Sequence, residues 1–190
     1  MPKHHLVGIS GSLREGSYNT VILNSLAERL TGTATMDVIS IGDLPHYSED
    51  LDIGGGPEAV AAFRSVIARA DGVVIATPEY NHGIPGSLKN ALDWASRPYG
   101  RAALSGKDVF TITSSPGAVG GARAHAQLNE TLASIAAHVV LRPQSVVSGV
   151  ANRIEEGKLT DETVLTFLLA GVDDLLRNAG APRLADHEEA

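Results

Sequence analysis

At 190 residues, with 43% hydrophobic and only 4% aromatic side chains, the chain is long enough for one domain whose core is mainly Ala, Val, Ile and Leu. A net charge of −7 argues against a general nucleic-acid binder, which needs a basic face against phosphates, although a local seat for one small anion stays open. The absence of cysteine excludes disulfides, thiolate metal sites and a cysteine nucleophile. No apolar run reaches the roughly 18 residues that span a bilayer. The start, MPKHHLVGIS, lacks a signal peptide's apolar stretch and cleavage site. The seven histidines show no ligand-like spacing beyond the adjacent His4 and His5. The expectation is a cytoplasmic protein with no metal and no membrane segment.

Leu6 to Ser10 reads as a short buried strand, and Ser17 to Leu30 follows with Val21, Ile22, Leu26 and Leu30 at helical spacing. Met36 to Ile41 is a second strand, and Gly42 to Pro57 a loop with three glycines at 54–56. Pro57 to Ala70 is a helix that opens on proline, where the missing N–H costs nothing. Gly72 to Thr77 (GVVIAT) is a third strand, Ser87 to Ser96 a helix, and Asp108 to Thr113 a fourth strand. Gly120 to Ala137 is an Ala-rich helix. Val139 to Leu141, extending toward Val146, is a fifth strand, and Thr160 to Ala179 a last helix opened by the capping signal TDE. Residues 181–190 read as a loose tail.

Short apolar strands alternating with helices predict an α/β fold with a parallel sheet covered on both faces. In such sheets ligands bind outside the carboxyl ends of the strands, where strand order reverses. Three loops with unusual chemistry leave such ends, after the first, third and fourth strands.

The first loop carries the stretch GSLREGSYN. Hydroxyls of Ser10, Ser12 and Ser17, the guanidinium of Arg14 and the amide of Asn19 are donors beside a helix N-terminus, and Gly11 and Gly16 let the backbone turn. The set suits a phosphate; the other reading of Ser17 is a plain helix cap. Neither a Walker loop nor GxGxxG is present. In the second loop, Pro78 ends the strand and Glu79, Tyr80, Asn81, His82 and Gly83 offer mixed donors and acceptors for a flat heterocycle. Lys89 and Asp93 are spaced to pair on the following helix, and Trp94 is the sole tryptophan, suited to packing. Arg97 is either a helix-end charge or a group that reaches a cofactor or neighbouring chain. The third loop, SSPGAVGGARA, is small enough for a planar ring to approach its backbone, or is simply a flexible connection.

In that order, the motifs resemble those of the NADPH-dependent FMN reductase family. GSLREGSYN fits GSxRxxSxN, PEYNHGIPGSLKNALDWASRP follows the family's second motif nearly at full length, and SSPGAVGGARA is similar to its third. The resemblance spans residues 4 to about 150 and is nearest to the quinone, chromate and azo reductase branch. It implies a flavodoxin-like three-layer αβα sandwich, with a five-stranded parallel sheet of order 2-1-3-4-5, in one domain over residues 1–180. It implies FMN as cofactor and NADPH or NADH as donor. Ser10, Ser12, Leu13, Arg14, Ser17 and Asn19 would hold the phosphate. Pro78, Glu79, Tyr80, Asn81 and Gly83 would line the ring, with Ser115 and Gly117 beside it. Tyr18 and His82 stand at variable positions. The implied chemistry is flavin-centred hydride transfer to a quinone or similar small acceptor, which demands no catalytic side chain. A homodimer or homotetramer is implied, with Trp94 and Arg97 near the contact. Arg101 or Arg123 is a candidate for a 2′-phosphate. One rival is an electron carrier that sandwiches its flavin between aromatics, of which this chain has few; the other is a flavin-free scaffold.

Overall fold

Strand β3 (Gly72–Thr77) is buried at every position, which is why its sequence is apolar from Gly72 to Ala76, with the hydroxyl of Thr77 at its end. The computed structural model describes residues 4–180 apart from 31 and 33, so the tail read as loose lies outside the described residues. On one side of β3 lies β1 (His4–Ser10), and beyond it β2 (Ala34–Ile39). On the other lies β4 (Asp108–Ser115), followed by β5 (His138–Val139). All pair in parallel, and the order is 2-1-3-4-5, as the resemblance implied.

Alternate strand residues face opposite layers. Leu6, Val74, Phe110 and Ile112 pack under α1 (Tyr18–Arg29) and α5 (Glu162–Ala179). Val7, Ile9, Val73, Ile75 and Val109 pack under α2 (Glu58–Arg69), α3 (Gly86–Ala95) and α4 (Ala122–Ser134). The result is the flavodoxin-like αβα sandwich. Asp161 caps α5 as the TDE signal predicts, accepting from Val164 N at 3.1 Å. That bond, reinforced by Arg153, lowers its carboxyl pKa.

Helix α4 is shorter than the expected Gly120–Ala137, and three larger features also depart from expectation. β2 starts two residues earlier and stops at Ile39, because Ser40 Oγ accepts from Gly42 N (3.1 Å) and turns the chain. The fifth strand is broken. β5 pairs with Asp108 and Val109, whereas β6 (Val146–Ser148) pairs with Thr113 to Ser115. Between them Pro143 lacks an N–H, and Arg142 turns inward to stack on Phe110 and Phe167 and to pair with Asp174 at 3.1 Å. A hairpin of β7 (Ile154–Glu155) and β8 (Lys158–Leu159) was not anticipated. It is held to α1 by Leu159 N donating to Ser25 Oγ (3.0 Å).

Candidate functional site

The first loop leaves β1 through a gap only glycine fits. Gly11 N donates to Ala76 O at 2.8 Å, and a Cβ on Gly11 would lie 2.3 Å from Thr77 Oγ1. Ser10 Oγ accepts from Thr20 Oγ1 (2.9 Å) and donates to Ser12 O (3.3 Å). Ser12 Oγ accepts from Arg14 N at 3.3 Å. Arg14 folds over its own loop: Nη2 donates to Gly16 O (2.9 Å), and the guanidinium sits 5.0 Å from the centre of the Tyr18 ring.

Ser17 occupies the N-cap position of α1, yet its hydroxyl makes no cap bond. Ser17 Oγ is buried with no hydrogen-bond partner among the described residues. The first turn of α1 holds no acidic residue to offset the helix dipole. An unpartnered buried hydroxyl beside an unneutralised helix N-terminus and Arg14 is what an incoming phosphate would complete. Thr113 Oγ1 and Ser145 Oγ are also buried and unpartnered, but neither stands at a helix N-terminus.

The second loop is a tight turn. Tyr80 N donates to Gly83 O (2.9 Å) and Gly83 N to Tyr80 O (3.0 Å), with Asn81 and His82 both at positive φ. Glu79 points away from the turn tip. Its Oε2 accepts from Arg123 N (3.0 Å) and Ala124 N (3.1 Å), and Oε1 lies 3.4 Å from Arg123 Nη1. The helix N–H bonds, Ala124's first, hold its carboxyl pKa below the ordinary range against the opposing effect of desolvation. In the third loop Ser115 Oγ accepts from Gly117 N at 3.1 Å. Ser114 Oγ donates to Asn19 Oδ1 at 2.9 Å, leaving Nδ2 as that amide's remaining donor.

The three loops therefore meet at one edge of the sheet. Gly11 ties the first to the end of β3, from which the second leaves, Asn19 and Ser114 join the first to the third, and Glu79 joins the second to the third. Residues 5–152 match the family model described as NADPH-dependent FMN reductase. The chain belongs to the NADPH-dependent FMN reductase family. A quinone reductase from Pseudomonas putida is 41% identical over 166 residues, covering 87% of this chain and 89% of that protein. A 2-hydroxy-1,4-benzoquinone reductase from Burkholderia sp is 39% identical, with 87% and 90% covered. The solved flavoenzyme NAD(P)H:(acceptor) oxidoreductase FerB from Paracoccus denitrificans superposes with a TM-score of 0.82 at 35% identity, covering 92% of this chain and 98% of that one.

Within this family member, the residues expected at the cofactor divide by what their side chains do. Ser12, Leu13, Arg14, Ser17 and Asn19 surround the start of α1, with Ser10 bracing the loop through Thr20. Pro78, Tyr80, Asn81 and Gly83 form or flank the turn, Ser115 and Gly117 shape the third loop, and Glu79 is engaged by α4. Leu13, Tyr80 and Val119 are about half exposed, one apolar side chain from each loop; Val119 was not anticipated. Thr20, Ser114 and Gln127 were also missed: Thr20 acts through Ser10 across the loop, and Ser114 and Gln127 through partners distant in sequence.

Trp94 packs within its own subunit. It is fully buried in its own chain, with Nε1 donating to Pro45 O (2.8 Å) and the Tyr47 ring edge-on at 4.9 Å. Arg97 is held by Glu49 at 3.2 Å, with Asp52 3.9 Å away. Lys89 and Asp93 pair at 2.7 Å, as their spacing predicts. Arg123, a candidate for a 2′-phosphate, lies 3.4 Å from Glu79 with its side chain about half exposed. Among the described residues, no helix is long and apolar enough to cross a membrane.

Proposed function

We propose that this chain binds FMN and works as an NAD(P)H-dependent reductase of quinones or similar small acceptors such as free flavins, azo compounds and chromate. The observation that carries the reading is the buried, unpartnered Ser17 hydroxyl at the N-terminus of α1. Ser12, Ser17, Arg14, the Leu13 N–H and Asn19 hold the phosphate, and Ser10 keeps their loop in shape. The turn from Pro78 to Gly83, with Ser115 and Gly117, presents backbone donors to a planar ring. Bound FMN supplies the hydride-accepting and hydride-donating centre.

The aromatic side chains favour an enzyme over an electron carrier. Tyr47 and Trp94 pack on each other, and Tyr18 lies under Arg14. Tyr80 alone stands on the three loops, so no pair of aromatic side chains closes over both faces of a ring. One face stays open to nicotinamide and then to the acceptor. The chain to Gly180 acts as one flavin-binding unit in the cytoplasm, and the active form is a homodimer or homotetramer, testable by light scattering.

Purified protein given FMN should turn yellow, and anaerobic NADPH or NADH should bleach the flavin band. Steady-state oxidation of either nucleotide with a quinone completes the test. Failure to take up FMN, or bound FMN that neither nucleotide reduces, refutes the proposal.

A further inference from the structure

Helix α4 lacks its own cap. Its N-cap residue is Gly121, which has no side chain to offer and stands at φ +96°, a conformation other residues rarely adopt. A Cβ there would also lie 3.0 Å from Thr113 Cβ. Two first-turn donors of α4 are satisfied instead by Glu79, whose Oε2 takes the N–H groups of Arg123 and Ala124 from 44 and 45 residues away in sequence. Gln127, one turn further along α4, accepts from Ile84 N at 2.7 Å. The first turns of α4 thus grip the second loop at both ends, Glu79 at its start and Ile84 at its close. The Tyr80–Gly83 turn between them has no other anchor of this kind among the hydrogen bonds described, its remaining bonds being internal.

We infer that Glu79 is a positioning residue for the cofactor ring: by capping α4 from the second loop, its carboxylate sets the separation between the Tyr80–Gly83 turn and the Ser115–Gly117 segment. This rests on FMN lying across those two loops. It assigns Glu79 a grip on the protein in place of a contact with the ring. The backbone donors of the turn are then held at fixed places by a bond made outside the site.

The test compares Glu79→Gln, Glu79→Ala and Gln127→Ala with the wild type. Each is assayed for its FMN dissociation constant by fluorescence quenching, the visible spectrum of bound FMN and its midpoint potential. Glu79→Ala should raise the dissociation constant about tenfold or more and shift both spectrum and potential. Glu79→Gln keeps one amide oxygen as acceptor and should recover part of the loss. Gln127→Ala, which frees the other end of the turn, should shift the spectrum in the same direction. Variants that melt at lower temperature but keep the wild-type affinity, spectrum and potential would reduce Glu79 to an ordinary helix cap and overturn the inference. A wild-type protein that takes up no FMN fails the parent reading instead, so the two failures are told apart.

Discussion

Replacing Ser17 with alanine should weaken the affinity for FMN without destabilising the flavin-free protein. The Ser17 hydroxyl is buried, and no partner among the described residues reaches it. A buried polar group left unsatisfied costs about 1–3 kcal/mol. Removing it relieves that cost, less a small loss of packing, so the flavin-free variant should be unchanged or up to about 1 kcal/mol more stable. For a chain of this length that is a rise in melting temperature of about 2–4 °C. A hydrogen bond to a charged phosphate oxygen is worth about 1.5–3 kcal/mol, so the FMN dissociation constant should rise roughly tenfold to a hundredfold. Chemical denaturation of the flavin-free protein and fluorescence titration with FMN measure the two effects. An ordinary N-cap serine would behave differently, since its loss destabilises by about 0.5–2 kcal/mol. A variant destabilised by that amount, with unchanged FMN affinity, would refute the phosphate assignment.

Gly11→Ala places a methyl 2.3 Å from Thr77 Oγ1, so the loop must shift. We expect a loss of about 1–3 kcal/mol in urea melts, with FMN binding weakened beyond that of Ser17→Ala. Asp52→Asn leaves the largely buried Arg64, 2.8 Å away, without its counter-charge. It should cost on the order of 3 kcal/mol, whereas Asp93→Asn in the exposed pair with Lys89 should cost less than about 1 kcal/mol. His125 is buried against Thr111 and Asn129, and burial lowers its pKa below 6.5. The unfolded chain therefore binds a proton first as pH falls, so His125 removes stability from about pH 6.5 downward through its folded pKa. His125→Gln should flatten that part of the stability–pH curve, read as the difference from wild type.

Much of the fold was legible because its signals are local. GVVIA, Gly72 to Ala76, is apolar at every position since β3 is covered on both faces, and the four-residue spacing of Ile22 and Leu26 puts both on the side of α1 that lies against the sheet. The positions of the site loops followed from parallel topology, which turns the carboxyl end of every strand to one edge. The breaks came where a tertiary contact outweighed local preference. Residues 139–146 read as one strand, but Arg142 leaves the sheet to reach Phe110, Phe167 and Asp174, 25 to 32 residues away along the chain in the last two cases.

Local composition sufficed to mark GSLREGSYN as a seat for an anion, since small hydroxyls, glycine and arginine before a helix act through groups only a few residues apart. It did not reveal that Ser17 would stand without a partner while Ser10 is braced by Thr20, or that Asn19 would bond to Ser114, 95 residues on. Nor could it show that Glu79, inside the ring-binding motif, would turn its carboxylate onto α4, or that Trp94 would be covered by Pro45 and Tyr47. A side chain's type limits which bonds it can make. Which of them it makes depends on what the packed chain brings within about 3 Å, and those neighbours come from distant segments.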